Sequence, residues 1–129
     1  MSATLASIVW INGERATSAT AHVSALDRGL TLADGVFETL RVRGRVAFRL
    51  ARHLDRLERS LRVLEIPRPQ DLRAWVDAAI AAGGDGDVAM RITVTRGPAA
   101  GGVTPPRAPT PTVIVNTPCT IPARAGVQP

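Results

Sequence analysis

The 129-residue chain contains no lysine and no tyrosine; all 16 of its basic side chains are arginine. Without lysine, a nucleotide-binding loop of the GK[ST] type is excluded. So is a Schiff base on any side chain of this chain alone. A single cysteine, Cys119, excludes an internal disulfide framework and a multi-cysteine zinc site. Only two histidines are present, His22 and His53, too few for a zinc site without cysteines beside them. Aromatic side chains are confined to Trp10, Phe37, Phe48 and Trp75, which is too sparse for a platform that stacks single-stranded bases. No apolar run approaches the ~18–20 residues that span a bilayer. The opening segment MSATLASIVWINGE lacks the basic region of a signal peptide, so no membrane attachment is read and the cytoplasm is the expected compartment.

With 45% hydrophobic and 21% charged residues, the composition belongs to a folded domain rather than a disordered segment. The net charge of +5 has two readings. One is a surface for a polyanion; the other is a compositional bias that writes arginine wherever lysine would serve. The arginines run from Arg15 to Arg124 without local basic–aromatic interleaving, which favours the bias.

Hydrophobic spacing divides the chain. Ser7–Ile11 is a short β-type run, followed by Asn12-Gly13, a strong hairpin-turn signal. Glu14–Val23 reads as a second strand and a loop, and Asp27-Arg28-Gly29 as punctuation. Between Val36 and Val42, residues Val36, Glu38, Leu40 and Val42 share one strand face and Phe37, Thr39 and Arg41 the other. Arg43-Gly44-Arg45 turns the chain into a returning strand at Val46–Phe48. Leu50, Leu54, Leu57, Leu61 and Leu64 then form a helical stripe, ended by Pro67 and Pro69. A second helix is expected over Asp71–Ala82. Val88–Thr95 alternates as a half-buried strand. Gly97–Pro111 has no period and reads as a loop, Thr112–Asn116 as a last strand, and the proline-bearing tail from Pro118 as an extended linker. Bunched strands with two helices define an α+β domain: an antiparallel sheet with two helices on one face.

On the first helix, His53 and Ser60 flank the leucine stripe, with Arg49 and Arg56 on the same side. Arg52, Arg59 and Arg62 are expected to point more nearly outward. Arg56 is placed to hold an anion bidentately, or to be one solvated arginine among several. Arg96, at a strand exit before Gly97, could clamp a carboxylate or cover a sheet edge. His22, His53, the Asp85-Gly86-Asp87 acidic turn and Cys119 carry no metal or nucleophile pattern on their own.

Three blocks occur together: DRGLTLADGVFETLR (27–41), HLDRLERS (53–60) and VTRG (94–97). With the opening WING (10–13), they resemble the N-terminal part of class IV pyridoxal-phosphate enzymes. That family holds branched-chain and D-amino acid aminotransferases and aminodeoxychorismate lyases. The resemblance covers about residues 7–117. It implies a small α+β domain over residues 1–117, an interdomain linker beginning at 118–129, and a large catalytic domain that this chain lacks. It further implies pyridoxal 5'-phosphate as cofactor, with Arg56 binding its phosphate. Phe37 is implied as a wall of the substrate pocket, and Arg96 as a substrate-carboxylate contact. The implied substrate is an amino acid or aminodeoxychorismate, and the implied assembly a homodimer. Leu30 and Leu32 stand where the family often has an aromatic, and Ala33 where it commonly has glycine. No residue here can be the Schiff-base lysine. The expectation is therefore a truncated gene product or fragment, inactive alone. The alternatives are a non-catalytic, self-associating remnant and a small basic nucleic-acid-binding protein.

Overall fold

A computed structural model describes residues 8–120. The chain runs β1 (Val9–Ile11), β2 (Glu14–Ala16), α1 (Arg28–Leu32), β3 (Gly35–Arg43), β4 (Val46–Ala47), α2 (Leu50–Leu64), α3 (Leu72–Ala82), β5 (Asp87–Thr95) and β6 (Thr112–Thr120). The strands form one antiparallel sheet in the order β2-β1-β6-β5-β3-β4. Its layout is the α+β arrangement expected from the pattern.

Alternation decides which face is buried. Leu40 and Val42 of β3, Met90, Ile92 and Val94 of β5, and Val113 and Val115 of β6 point to one side. There they meet Leu54, Leu57 and Leu61 of α2 and Leu72, Val76, Ala79 and Ile80 of α3. Nine of these side chains are less than 2% exposed, and burial of this kind contributes roughly 1.5–3 kcal/mol per large aliphatic group. The opposite face carries Phe37, Thr39 and Arg41 of β3 and Arg91 and Thr93 of β5. Neither α2 nor α3 packs on that face; α1 meets it at the Thr95 end, where Gly29 abuts the Thr95 side chain, and Phe37 is 56% exposed.

Asn12 and Gly13 take positive φ values of 49° and 83°, the turn that matches the twist of a two-residue hairpin. The Asn12 side chain also accepts a hydrogen bond from the Val113 N–H, at 2.8 Å, and so pins the hairpin to β6. α2 ends at Glu65 in the left-handed region, whose N–H returns to the Arg62 and Leu61 carbonyls before Pro67.

Two elements differ from the sequence reading. Asp27-Arg28-Gly29 is no mere turn: Asp27 caps a one-turn helix, α1, by accepting from the Gly29 N–H at 2.8 Å, and Ala33 closes it in the left-handed region. Five residues are too few to show a period, so only the capping aspartate marked it. β6 continues to Thr120, four residues beyond the expected end at Asn116. Pro118 has no N–H for the ladder, and the β5–β6 register slips by one residue beside it, between Ala89 and Arg91. A bulge thus lets the strand pass a residue that reads as a breaker. Residues 121–129, the rest of the expected linker, lie outside the described residues.

Candidate functional site

The expected edge of α2 carries an open cavity of about 390 Å³, lined by Arg49, Arg52, His53, Asp55, Arg56 and Arg59. Arg52 and Arg59, expected to point outward, line it as well. They sit at neighbouring helical positions around Arg56, and their long side chains reach the same hollow. The cavity is therefore strongly cationic, four arginines against one aspartate.

Two of its lining residues, His53 and Arg56, are held by a buried carboxylate. Glu38 lies on the core face of β3, between Val36 and Leu40, with its side chain 8% exposed. A charge in that position needs partners. Arg56 supplies two donors: Nε lies 3.1 and 3.0 Å from Oε1 and Oε2, and Nη2 lies 2.8 Å from Oε1. His53 supplies the third, with Nδ1 2.7 Å from Oε1. Burial pushes the Glu38 carboxyl up, and this is the largest single effect. The hydrogen bonds from Arg56 and His53 together outweigh it, so the group sits below its ordinary value.

The geometry leaves Arg56 half used. Glu38 takes the Nε/Nη2 edge of the guanidinium, while Nη1 makes no hydrogen bond among the described residues. The Nη1/Nη2 end remains available as a two-pronged donor, on a side chain 62% exposed. A tetrahedral oxyanion is the natural partner of such a fork.

Phe37 immediately precedes Glu38 in β3 but faces the other side of the sheet. The Arg91 guanidinium carbon lies over its ring, 3.9 Å from the centroid, in a cation–π contact. β4 pairs only with Val42 and Arg43, so from Gly35 to Leu40 the outer edge of β3 has no strand partner among the described residues. Arg56 and Phe37 thus flank one free strand edge, from opposite faces.

Arg96 is elsewhere. It is 7% exposed. Nε and Nη2 donate to Asp34 at 2.7 and 3.3 Å, Nη1 to the Glu65 carbonyl at 3.1 Å, and Nη2 to the Leu64 carbonyl at 2.7 Å. Four of its five N–H groups are committed inside the chain. Arg28, 5% exposed, joins the same aspartate through Nε at 2.8 Å and reaches the Gly102 and Val103 carbonyls. The Arg96 hydrogen bond is the main reason that the Asp34 carboxyl lies below its ordinary value; burial opposes this and Arg28 reinforces it. The DRG…ADG block and the TRG block therefore meet in one buried knot.

Sequence reasoning singled out Arg56, Phe37 and Arg96 but assigned no task to Glu38, Asp34 or Arg28. For Glu38 the signal was present: a carboxylate on a strand face otherwise filled by Val36, Leu40 and Val42. Asp34 lies in irregular backbone and Arg28 in a helix of a single turn, where spacing gives no face.

Among the described residues, no group of three or more metal-ligating side chains occurs, and no helix is long and apolar enough to cross a membrane.

An open six-stranded antiparallel sheet backed by two helices is the small-domain layout of fold-type IV enzymes. Residues 35–126 match the family described as Amino-transferase class IV, and the chain belongs to that family. It is 33% identical over 108 residues to a putative branched-chain-amino-acid aminotransferase of Methanocaldococcus jannaschii, covering 81% of this chain and 38% of that protein. The structure of 4-amino-4-deoxychorismate lyase from Pseudomonas aeruginosa superposes with a TM-score of 0.76 at 40% identity, over 85% of this chain and 39% of that one. A hypothetical aminotransferase from Mycobacterium tuberculosis in its PLP-bound form superposes with a TM-score of 0.71 at 32% identity, over 92% and 41%. The chain thus spans about two fifths of the length of these relatives.

Proposed function

We propose that this chain is the phosphate-gripping and substrate-shaping part of a pyridoxal-phosphate enzyme, a transaminase or lyase acting on an amino acid or on aminodeoxychorismate. The observation that carries the reading is the free Nη1/Nη2 fork of Arg56, held by Glu38 at the mouth of a cavity with three further arginines. That donor set fits the phosphate end of the cofactor. The carbonyl end finds no partner in this chain, because the chain has no lysine. The anchoring lysine then belongs to a large domain outside these residues, and the working assembly is a homodimer of the whole enzyme.

Bound cofactor supplies the electron sink for breaking bonds at an amino acid's α-carbon. The tasks of this chain are to bind and to orient. Arg56 fixes the phosphate, Glu38 fixes Arg56, and Phe37 offers an apolar wall from across the β3 edge. Arg96 supports the fold behind them through Asp34. The carboxylate contact expected of it requires release from Asp34, Leu64 and Glu65.

The test is binding of pyridoxine 5'-phosphate, which has no aldehyde and so reads the phosphate grip alone. Arg56→Ala is expected to weaken it by about ten- to a hundredfold, the loss of a charge-assisted bidentate contact. Arg62→Ala, outside the cavity, is expected to change it less than about twofold. Arg56→Lys should fall between, since lysine keeps the charge and loses the fork. Equal effects of the two alanine substitutions would mean that the arginines act only as a diffuse positive field.

A further inference from the structure

We propose that His53 is a second, proton-dependent anion donor of the Arg56 cavity. A bound phosphate group meets Arg56 alone when the ring is neutral, and Arg56 with His53 when the ring is charged. The proposal rests on the reading of this cavity as a phosphate site.

The argument starts from the fixed nitrogen. Nδ1 lies 2.7 Å from Glu38 Oε1, and an ionised carboxylate can only accept. Nδ1 therefore carries a proton in both charge states of the ring, and the proton that comes and goes is the one on Nε2. His53 lines the cavity, three residues before Arg56 on the same flank of α2, and Nε2 has no hydrogen-bond partner among the described residues. With its side chain 19% exposed, the ring is partly withdrawn from water, which strengthens a charge-assisted contact made there.

The groups facing the ring are Glu38 from β3 and Arg49, Arg52, Asp55, Arg56 and Arg59 from α2. Arginines do not titrate in proteins. Asp55 is exposed, and Glu38 is held ionised by Arg56 and His53. Of the groups that face the ring, histidine is the one side-chain type that changes charge near neutral pH. The sign follows. A neutral Nε2 turns a lone pair toward an anion; a protonated one donates to it. Affinity for a dianion rises as pH falls.

Sulfate is the probe, because it stays dianionic across this range whereas a phosphate monoester takes up a proton near pH 6. Calorimetric titrations of the whole chain at pH 5.5 and 7.5 should show sulfate bound about tenfold tighter at the lower pH. His53→Gln keeps a donor for Glu38 and cannot be charged; its change over the same range should be under about twofold. In parallel, ring resonances of the two histidines are followed by NMR. Sulfate should raise the titration midpoint of His53 and leave His22 unmoved, a readout in the unaltered protein that does not depend on how the variant folds. A flat wild-type profile, an equal slope in His53→Gln, or an unmoved His53 midpoint overturns the proposal. Arg56→Ala separates the two levels: if it binds sulfate as tightly as wild type at pH 7.5, the phosphate-site reading fails. Lost binding in Arg56→Ala together with a flat wild-type profile removes only the role of His53. A wild-type chain that takes up no sulfate at either pH overturns both.

Discussion

Two carboxylates, Asp34 and Glu38, each serve two donors, Asp34 the guanidinium groups of Arg28 and Arg96, Glu38 that of Arg56 and the His53 ring. Asp34 neutralises Arg28 and Arg96, both nearly buried. Removing it leaves two buried guanidinium groups without a counter-charge. Breaking a buried pair in this way typically costs about 3–5 kcal/mol, a large share of the 5–15 kcal/mol that stabilises an ordinary domain. Asp34→Ala is therefore expected to lower Tm by at least about 10 °C, measured by circular dichroism. The pH dependence has a definite sign. Both carboxyls are held below their ordinary values in the folded state, Asp34 chiefly by the Arg96 hydrogen bond, Glu38 by Arg56 and His53 against its burial. Their stabilisation is fully present above the unfolded-state value near pH 4 and is lost as pH falls through the folded values. Melting curves taken from pH 7 down to pH 3 should show a fall in Tm below about pH 4. That fall should be shallower in Asp34→Asn, which starts less stable and has one linked carboxyl fewer.

At the level of elements, the most demanding junction is the exit of β5. Gly97 has φ +94°, and a Cβ there would lie 1.8 Å from the Thr110 carbonyl oxygen. Backbone conformation and space both reject a side chain. Gly97→Ala is expected to destabilise by at least about 2 kcal/mol in denaturant melts, whereas Gly84→Ala, which meets nothing within 4 Å, should be close to neutral. The regular elements were legible because their periods are: the leucine stripe of α2, the alternation of β3 and β5, the Asn12-Gly13 turn. The one-turn helix and the continuation of β6 past Pro118 were not, since five residues show no period and a bulge breaks one. The site was legible in part. Helical spacing put Arg56 and His53 on one flank, and the family blocks marked Arg56, Phe37 and Arg96. What spacing could not supply was contact between distant segments. Glu38 and Arg56 lie 18 residues apart, and Asp34 and Arg96 lie 62 apart. Only the register of β3 against β5, and α2 laid over them, brings these pairs together. Arg52 and Arg59 show the remaining gap. A helical wheel locates a Cα, whereas an arginine's charge sits several ångströms away on a flexible stem.

For the whole molecule, the deciding fact is the one found in the composition. A chain with no side-chain amine cannot hold pyridoxal phosphate covalently through a side chain, however well its phosphate is gripped. Purified alone and mixed with pyridoxal phosphate, an amino acid and a keto acid, these 129 residues are expected to give no turnover. No lysine-bound absorption band should survive dialysis. Turnover by this chain alone would show that the cofactor chemistry can run without the missing amine. On the proposed function the domain's share is recognition: a grip on the phosphate from one face of β3 and an apolar wall from the other, on two sides of an edge that, from Gly35 to Leu40, no strand among the described residues covers.

The knot at Asp34 also decides how the molecule comes apart. Through Arg28 and Arg96 it links α1, the carbonyls of Gly102 and Val103 in the long loop, and the last carbonyls of α2 at Leu64 and Glu65. None of these segments can swing away without exposing the same two cations. They are consequently expected to open as one cooperative unit in native-state hydrogen exchange. Amides at the end of α2, such as Glu65 and Ile66, should then report the same opening free energy as Arg28 in α1, distant in sequence though they are. In Asp34→Asn that shared value should split, α1 opening before the helix end.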